Sequence, residues 1–336
     1  MRTTAVVIAV LCLLAPIETR PQRAASTRET PASRSGAARA GTAPRTPWGD
    51  PDLQGVWTGS TLTPLERPAA LAGKEFLTEA EAAAMEKRAL ERQAVEVRPQ
   101  AGDPGTYNQI WFDPSSKVLP SRRTSLIVDP PDGRIPFTPE GRRRTSVSSA
   151  RYGVGPFDSH VDLDTGERCL TDGPPIWFSG YNNNYQIVQT REHILIHHEL
   201  YSEYRVIPLD GRRRSGPPRW LGNAVGRWDG PTLVVETSDF ADKSNYWWAT
   251  AWRAARPTLR IVERFTLVDA ETIDYQFTME DPTMFTRTWT AVFPLTTNQS
   301  ARGVTEGPLY EYACHEGNYA IANILKGARA RDGMAR

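Results

Sequence analysis

Apolar and polar positions follow three different regimes along this chain. Residues 5–17 form an almost unbroken apolar run without a charge, preceded by Met1-Arg2. The run is too short for a permanent membrane helix and suits the apolar core of an export signal, so residues 1–19 read as a signal peptide. Cys12 lies inside it behind Leu11, where a lipoprotein signal needs a small residue, and reads as part of the removed peptide. Residues 20–46 are rich in Ala, Arg, Ser, Thr and Pro. They lack the apolar surface to offset ordering entropy and read as a disordered linker. Residues 47–330 read as a single β-rich domain and 331–336 as a tail. No later stretch is long and apolar enough to span a bilayer as a helix, so no permanent membrane span is expected.

Within the domain the short-range alternation is that of strands. β-like stretches at 124–128, 186–189, 193–207, 226–228, 232–236, 259–268, 272–279, 285–293 and 309–314 are separated by turn signals, Asp229-Gly230 being the strongest. About nine or ten strands joined mainly by hairpins predict a mainly β fold, an antiparallel meander forming a barrel or a sandwich. Two helices accompany it. Thr78-Glu79-Ala80-Glu81 is a capping-box pattern opening a surface helix to about residue 94. A short C-terminal helix at about 319–330 puts Ile321, Ile324, Leu325 and Ala328 on one stripe.

Charge narrows the partners. The 336 residues carry 40 Lys+Arg against 39 Asp+Glu, a formal charge of +1. Such balance argues against a nucleic-acid or anionic-membrane binder, which needs a net basic face. Arg clusters at 122–123, 142–144 and 212–214 sit beside turns and read as solvated loops. Beyond the signal, two cysteines remain, Cys169 and Cys314. In an oxidising compartment two such thiols commonly pair. The bridge would close a loop of about 145 residues and contribute on the order of 4–5 kcal/mol. A reactive thiol or a metal ligand is the alternative.

Three groups of residues are candidates for chemistry. Read as continuous strand, residues 193–205 put His193, His197, Glu199, Glu203 and Arg205 on one face and Ile194, Ile196, His198, Leu200, Tyr204 and Val206 on a core face. His197 and Glu199 would then lie about 7 Å apart at Cα, half of a metal site or an acid/base pair. His315 and Glu316 are candidate partners for that pair. The plain alternative is a solvent-facing strand with ordinary charges. Cys314-His315-Glu316 invites a thiol-catalysis reading that strand geometry resists, since neighbours in a strand point to opposite faces and Cys169 competes for the same sulfur. Tyr246, Trp247, Trp248 and Trp252 form either a stacking platform for a ligand or core. Tyr181-Asn182-Asn183-Asn184-Tyr185 sets amides between two aromatics, suiting polar ligand recognition or a plain turn. Phosphate-loop, esterase-elbow and zincin motifs are missing from the sequence.

Two resemblances add to this. Gly55-Val56-Trp57 at the first folded strand resembles the Gly-x-Trp start of lipocalin-like barrels, whose Trp plugs the closed end. TPWGDPDLQGVWT (46–58), RRTSLIVDPPDGRIP (122–136), YNNNYQIVQ (181–189), WLGNAVGRWDGPTLVVETSDF (220–240) and YEYACHEGNY (310–319), among others, together resemble an uncharacterised family of exported bacterial β-rich proteins. That resemblance carries no assigned activity. It implies that Cys169 and Cys314 belong to a shared pattern. It also implies departures here, since relatives tend to have His where Ser202 and Arg214 stand and Asp where Asn223 stands.

Three functions remain open. The first is a periplasmic or secreted barrel binding a small organic ligand, lipid-like or glycan-derived. The second is a periplasmic enzyme using the His/Glu groups, and the third an envelope protein-interaction module. Neither cofactor, metal nor oligomeric state follows from the residue pattern.

Overall fold

Strict alternation builds the best-formed part of the molecule. The computed structural model describes residues 43–95, 112–151, 154–212, 216–242, 248–254 and 256–334, all within the unit Arg39–Arg336. The signal reading, most of the linker reading, Arg214, Tyr246 and Trp247 lie outside the described residues. Strands β8 (Arg260–Asp269), β9 (Thr272–Glu280) and β10 (Trp289–Thr296) each bury every second side chain. β6 (Asn223–Asp229) and β7 (Thr232–Ser238) precede them as a hairpin turning at Gly230, whose φ of +58° favours glycine.

β1 (Gly55–Thr58), β3 (Asn184–Gln189), β4 (His193–His198) and β5 (Glu203–Pro208) complete the sheet in the order β5-β4-β3-β1-β10-β9-β8-β7-β6, with all pairs antiparallel. A short β2 (Ile127–Asp129) also pairs with β10. The terminal strands β5 and β6 lie beside each other without a ladder, so the sheet is nearly closed into a barrel. A Cβ on Gly226 would sit 2.9 Å from Ile207, which is why β6 approaches β5 this closely at a glycine.

The barrel is filled by its own side chains. Trp57, Trp289, Phe265, Phe277 and Phe293 are among the largest fully buried residues, and Trp252 stacks on Phe277 at 5.8 Å. The Arg205–Glu263 ion pair lies inside. Arg205 donates twice to Glu263 (2.6 and 3.0 Å), and the Tyr275 hydroxyl donates to the same carboxylate at 2.7 Å. Trp57 Nε1 donates to the Leu53 carbonyl, which satisfies the buried indole.

The helices lie outside this sheet. α1 (Glu79–Gln93) has both capping-box bonds, Glu81 N–H to Thr78 Oγ1 and Thr78 N–H to Glu81 Oε2. α2 (Pro139–Arg151) falls where residues 142–144 were read as loop. Thr138 caps it through the Gly141 N–H, and Glu140 pairs with Arg143 and Arg144, so local side-chain bonds replace an apolar stripe. In α3 (Ala320–Met334) the stripe Ile321, Ile324, Leu325 and Ala328 packs on Phe157 and Leu163.

The structure departs from the sequence reading at three further places. Ala43 packs on the core and Thr46 is buried, so order begins inside the stretch read as linker. The 193–207 stretch is two strands, broken by a 3-10 turn at Leu200–Ser202 where Tyr201 (φ 61°) and Ser202 (φ 47°) are left-handed. That break inverts the faces after it: Arg205 and Ile207 are buried, whereas Tyr204 and Val206 are exposed. Residues 309–314 form no strand.

Candidate functional site

At one rim of the barrel β1 ends, β3 begins and β4 ends, and side chains there bond to backbone in place of a ladder. Glu199 follows the last residue of β4, and its side chain is 2 % exposed with the rest of the residue. Its Oε2 accepts from Asn184 Nδ2 at 3.0 Å, and its Oε1 accepts from the Tyr310 N–H at 3.0 Å. Asn184 Oδ1 accepts from Gln299 Nε2 at 3.0 Å, and Gln299 Oε1 accepts from the Gly307 N–H at 2.8 Å. Two rim side chains, Gln299 and Glu199, thus hold the backbone of residues 307–310, Tyr310 lying 111 positions from Glu199. Asp113 fixes the preceding turn by accepting from the Thr305 N–H with both oxygens.

This scaffold encloses a cleft of about 580 Å³. Tyr181, Tyr310 and Tyr312 line it together with Asn182, Asn184 and Glu199. Asp113, Glu306 and Glu311 add carboxylates, and among the described residues no Lys, Arg or His lines it. The Tyr181 and Tyr312 rings are parallel within 8° at 6.5 Å, and Tyr201 meets Tyr312 edge-on at 5.2 Å. Burial holds the Tyr201 phenol well above its ordinary pKa. Cys314 forms a disulfide with Cys169, Cα atoms 5.7 Å apart, and anchors the same wall. Cys169, Asn182, Tyr201 and Ser202 all have positive φ, between 47° and 61°. Such conformations cost of order 1–3 kcal/mol each and persist only where surrounding contacts enforce them.

A buried polar cluster lies one step inside. His198 stacks on Tyr185 at 4.0 Å and hydrogen-bonds to the Asn182 backbone. Burial lowers its pKa to about 4. Its cross-strand partner Glu203 accepts from Thr171 Oγ1 and from the Asp172 and Gly173 N–H groups. Burial raises the pKa of Glu203 to about 7, with the Asp172 charge acting in the same direction. Arg253 in turn donates to Asp172 at 2.6 Å.

The candidates from sequence divide cleanly. Tyr181, Asn182, Asn183, Asn184, Glu199 and Cys314 all line the cleft. Asn183 is tied to its own turn, exchanging bonds with Ser179, and the Asn184 side chain bonds Glu199 and Gln299. His197 is on the outward side of β4, opposite Tyr204, and is not beside Glu199 on one face because the strand stops at His198. His315 and Glu316 are exposed and outside the lining, so the proposed His/Glu quartet does not gather in one cleft. Trp252 is core, and Trp248 opens the 3-10 segment Trp248–Arg253. Sequence reasoning passed over Asp113, Glu306, Tyr310 and Tyr312. The paired tyrosines just ahead of Ala313-Cys314 are the signal that could have found the last two.

Among the described residues, no group of three or more His, Cys, Asp or Glu is placed to hold a metal ion, and no helix is long and apolar enough to cross a membrane. Comparison of the chain with family models, curated proteins and solved structures returns no match.

Proposed function

We propose that this is an exported protein whose rim cleft binds a small polar organic ligand of the glycan-derived kind. The observation that carries the reading is the cleft itself: about 580 Å³ lined by three tyrosines and by amide and carboxylate groups. Its volume suits a small ligand, and aromatic faces beside planar hydrogen-bonding groups suit a ring that is apolar on its faces and polar at its edges. The filled barrel interior favours the rim over the lumen and weighs against a lipid-like ligand. An apolar leader and the Cys169–Cys314 bridge support a periplasmic or secreted setting. Membership of the exported bacterial family suggested by the sequence belongs to the same proposal.

Titration calorimetry of the disulfide-bonded chain against a panel of mono- to trisaccharides tests it. Tyr312→Ala should weaken any binding by about fivefold or more, the equivalent of about 1 kcal/mol for a lost aromatic face. Saccharides that bind Tyr312→Ala and the parent equally, or none that binds at all, would refute the reading.

A further inference from the structure

Resting on that reading of the rim cleft, we infer that its ligand carries a protonated amino group. Several acids outside the cleft have a base within ion-pair distance. Glu263 has Arg205, Asp172 has Arg253, Glu236 has Arg227 and Arg260, and Asp129 has Arg287. The cleft gathers acids without such a base, in a protein with 40 Lys+Arg against 39 Asp+Glu. Asp113, Glu199, Glu306 and Glu311 line it, and among the described residues its lining holds no cation.

Glu199 sharpens the point. It is 2 % exposed, and among the described residues its hydrogen-bond partners are two neutral groups, the Asn184 amide and the Tyr310 N–H. A buried carboxylate is costly without an opposite charge, and each oxygen keeps a lone pair beyond the bond it accepts. Three tyrosine rings on the same cleft supply the second recognition element, since an ammonium group is attracted to an aromatic face as well as to a carboxylate. Those two elements together select a small alkylammonium compound. They disfavour phosphate, sulfate and carboxylate ligands, which four uncompensated acids would repel. Glu306 and Glu311 are exposed at the mouth and would draw a cation inward, with Glu199 receiving it.

Calorimetry at pH 6 on the whole, disulfide-bonded chain separates the alternatives, using a glucosamine trisaccharide, its fully N-acetylated counterpart and spermidine. The two trisaccharides share rings and linkages and differ in charge. The deacetylated form should bind about tenfold more tightly, and its affinity should fall several-fold as salt screens the acids. Glu306→Gln and Glu311→Gln should each weaken it about two- to threefold without disturbing the fold, both side chains being exposed. Glu199→Gln should cost the deacetylated trisaccharide about tenfold or more and the acetylated one little, which separates a lost charge from general damage to the cleft. Spermidine binding as tightly as the trisaccharide supports the amine and makes the sugar body incidental; trisaccharide binding alone supports an amino sugar. An acetylated sugar that binds as well as the free amine overturns this inference and leaves the cleft reading standing. Silence from all three probes overturns both.

Discussion

Replacing Glu203 with glutamine should make the protein more stable at alkaline pH and less so, relative to its own maximum, in acid. Glu203 Oε2 accepts all three donors, Thr171 Oγ1, Asp172 N–H and Gly173 N–H, so a glutamine carbonyl placed there keeps every bond. What the substitution removes is the charge. Burial, aided by Asp172, raises this acid from 4.5 to about 7. Between those values the folded state keeps a proton that the unfolded chain has released, so stability falls as pH rises through the window. At about 1.36 kcal/mol per pH unit, and with a discount for partial exposure, the cost at pH 8 is about 2–3 kcal/mol. Opposite it on β4, His198 works the other way. Its pKa drops from 6.5 to about 4, so the unfolded chain takes up a proton first and stability falls as pH drops through that window. From 4.5 to 6.5 the two slopes oppose each other. Urea unfolding followed by tryptophan fluorescence from pH 4 to pH 8 should therefore find Glu203→Gln ahead of the parent by about 2–3 kcal/mol at pH 8, with the gap closing toward pH 4.5. Below pH 6.5 the variant should reveal the His198 slope that the parent masks. A variant less stable than the parent at pH 8, or a difference that does not change with pH, would refute the reasoning.

Two other perturbations test how the barrel and the cleft wall are held. Replacing Cys169 and Cys314 together by alanine opens a loop closed over a separation of 145 residues. By chain entropy this should cost about 5 kcal/mol in urea unfolding, and ligand affinity should drop with it because Cys314 anchors the wall that carries Tyr310 and Tyr312. Arg205→Met strands Glu263 inside the barrel and should destabilise by about 3–5 kcal/mol, whereas Arg205→Met with Glu263→Met should recover much of that loss; equal losses for the single and double variants would argue against an uncompensated buried charge.

The parts legible in sequence are those where local pattern and tertiary structure agree. In β9, Ile273, Tyr275 and Phe277 alternate with polar residues, β8 buries Ile261 and Phe265 on the matching face, and the facing of the two strands follows from that alternation. Thr78 with Glu81, and the Ile321-to-Ala328 stripe, are equally local signals, and each performs its expected task. The failures share one cause. In residues 193–207 alternation continues through a break that has no Gly, Pro or Asn to mark it. There Tyr201 and Ser202 are held left-handed by distant contacts, Tyr201 against Gly166 and Tyr312, and Glu199 against Asn184 and Tyr310. Residues 309–314 alternate too, yet Glu199 takes the Tyr310 N–H that a strand would have offered to a neighbour. The cleft exists because rim side chains capture these backbone donors across long sequence separations, leaving the 304–314 segment as a wall and not as another strand of the sheet. Composition within each segment was readable, as the Tyr181-to-Asn184 run and Glu199 show. Their convergence was not, because it depends on bonds that no local period encodes. The acidic, aromatic character of the cleft follows from that convergence and is the property on which the proposed ligand chemistry turns.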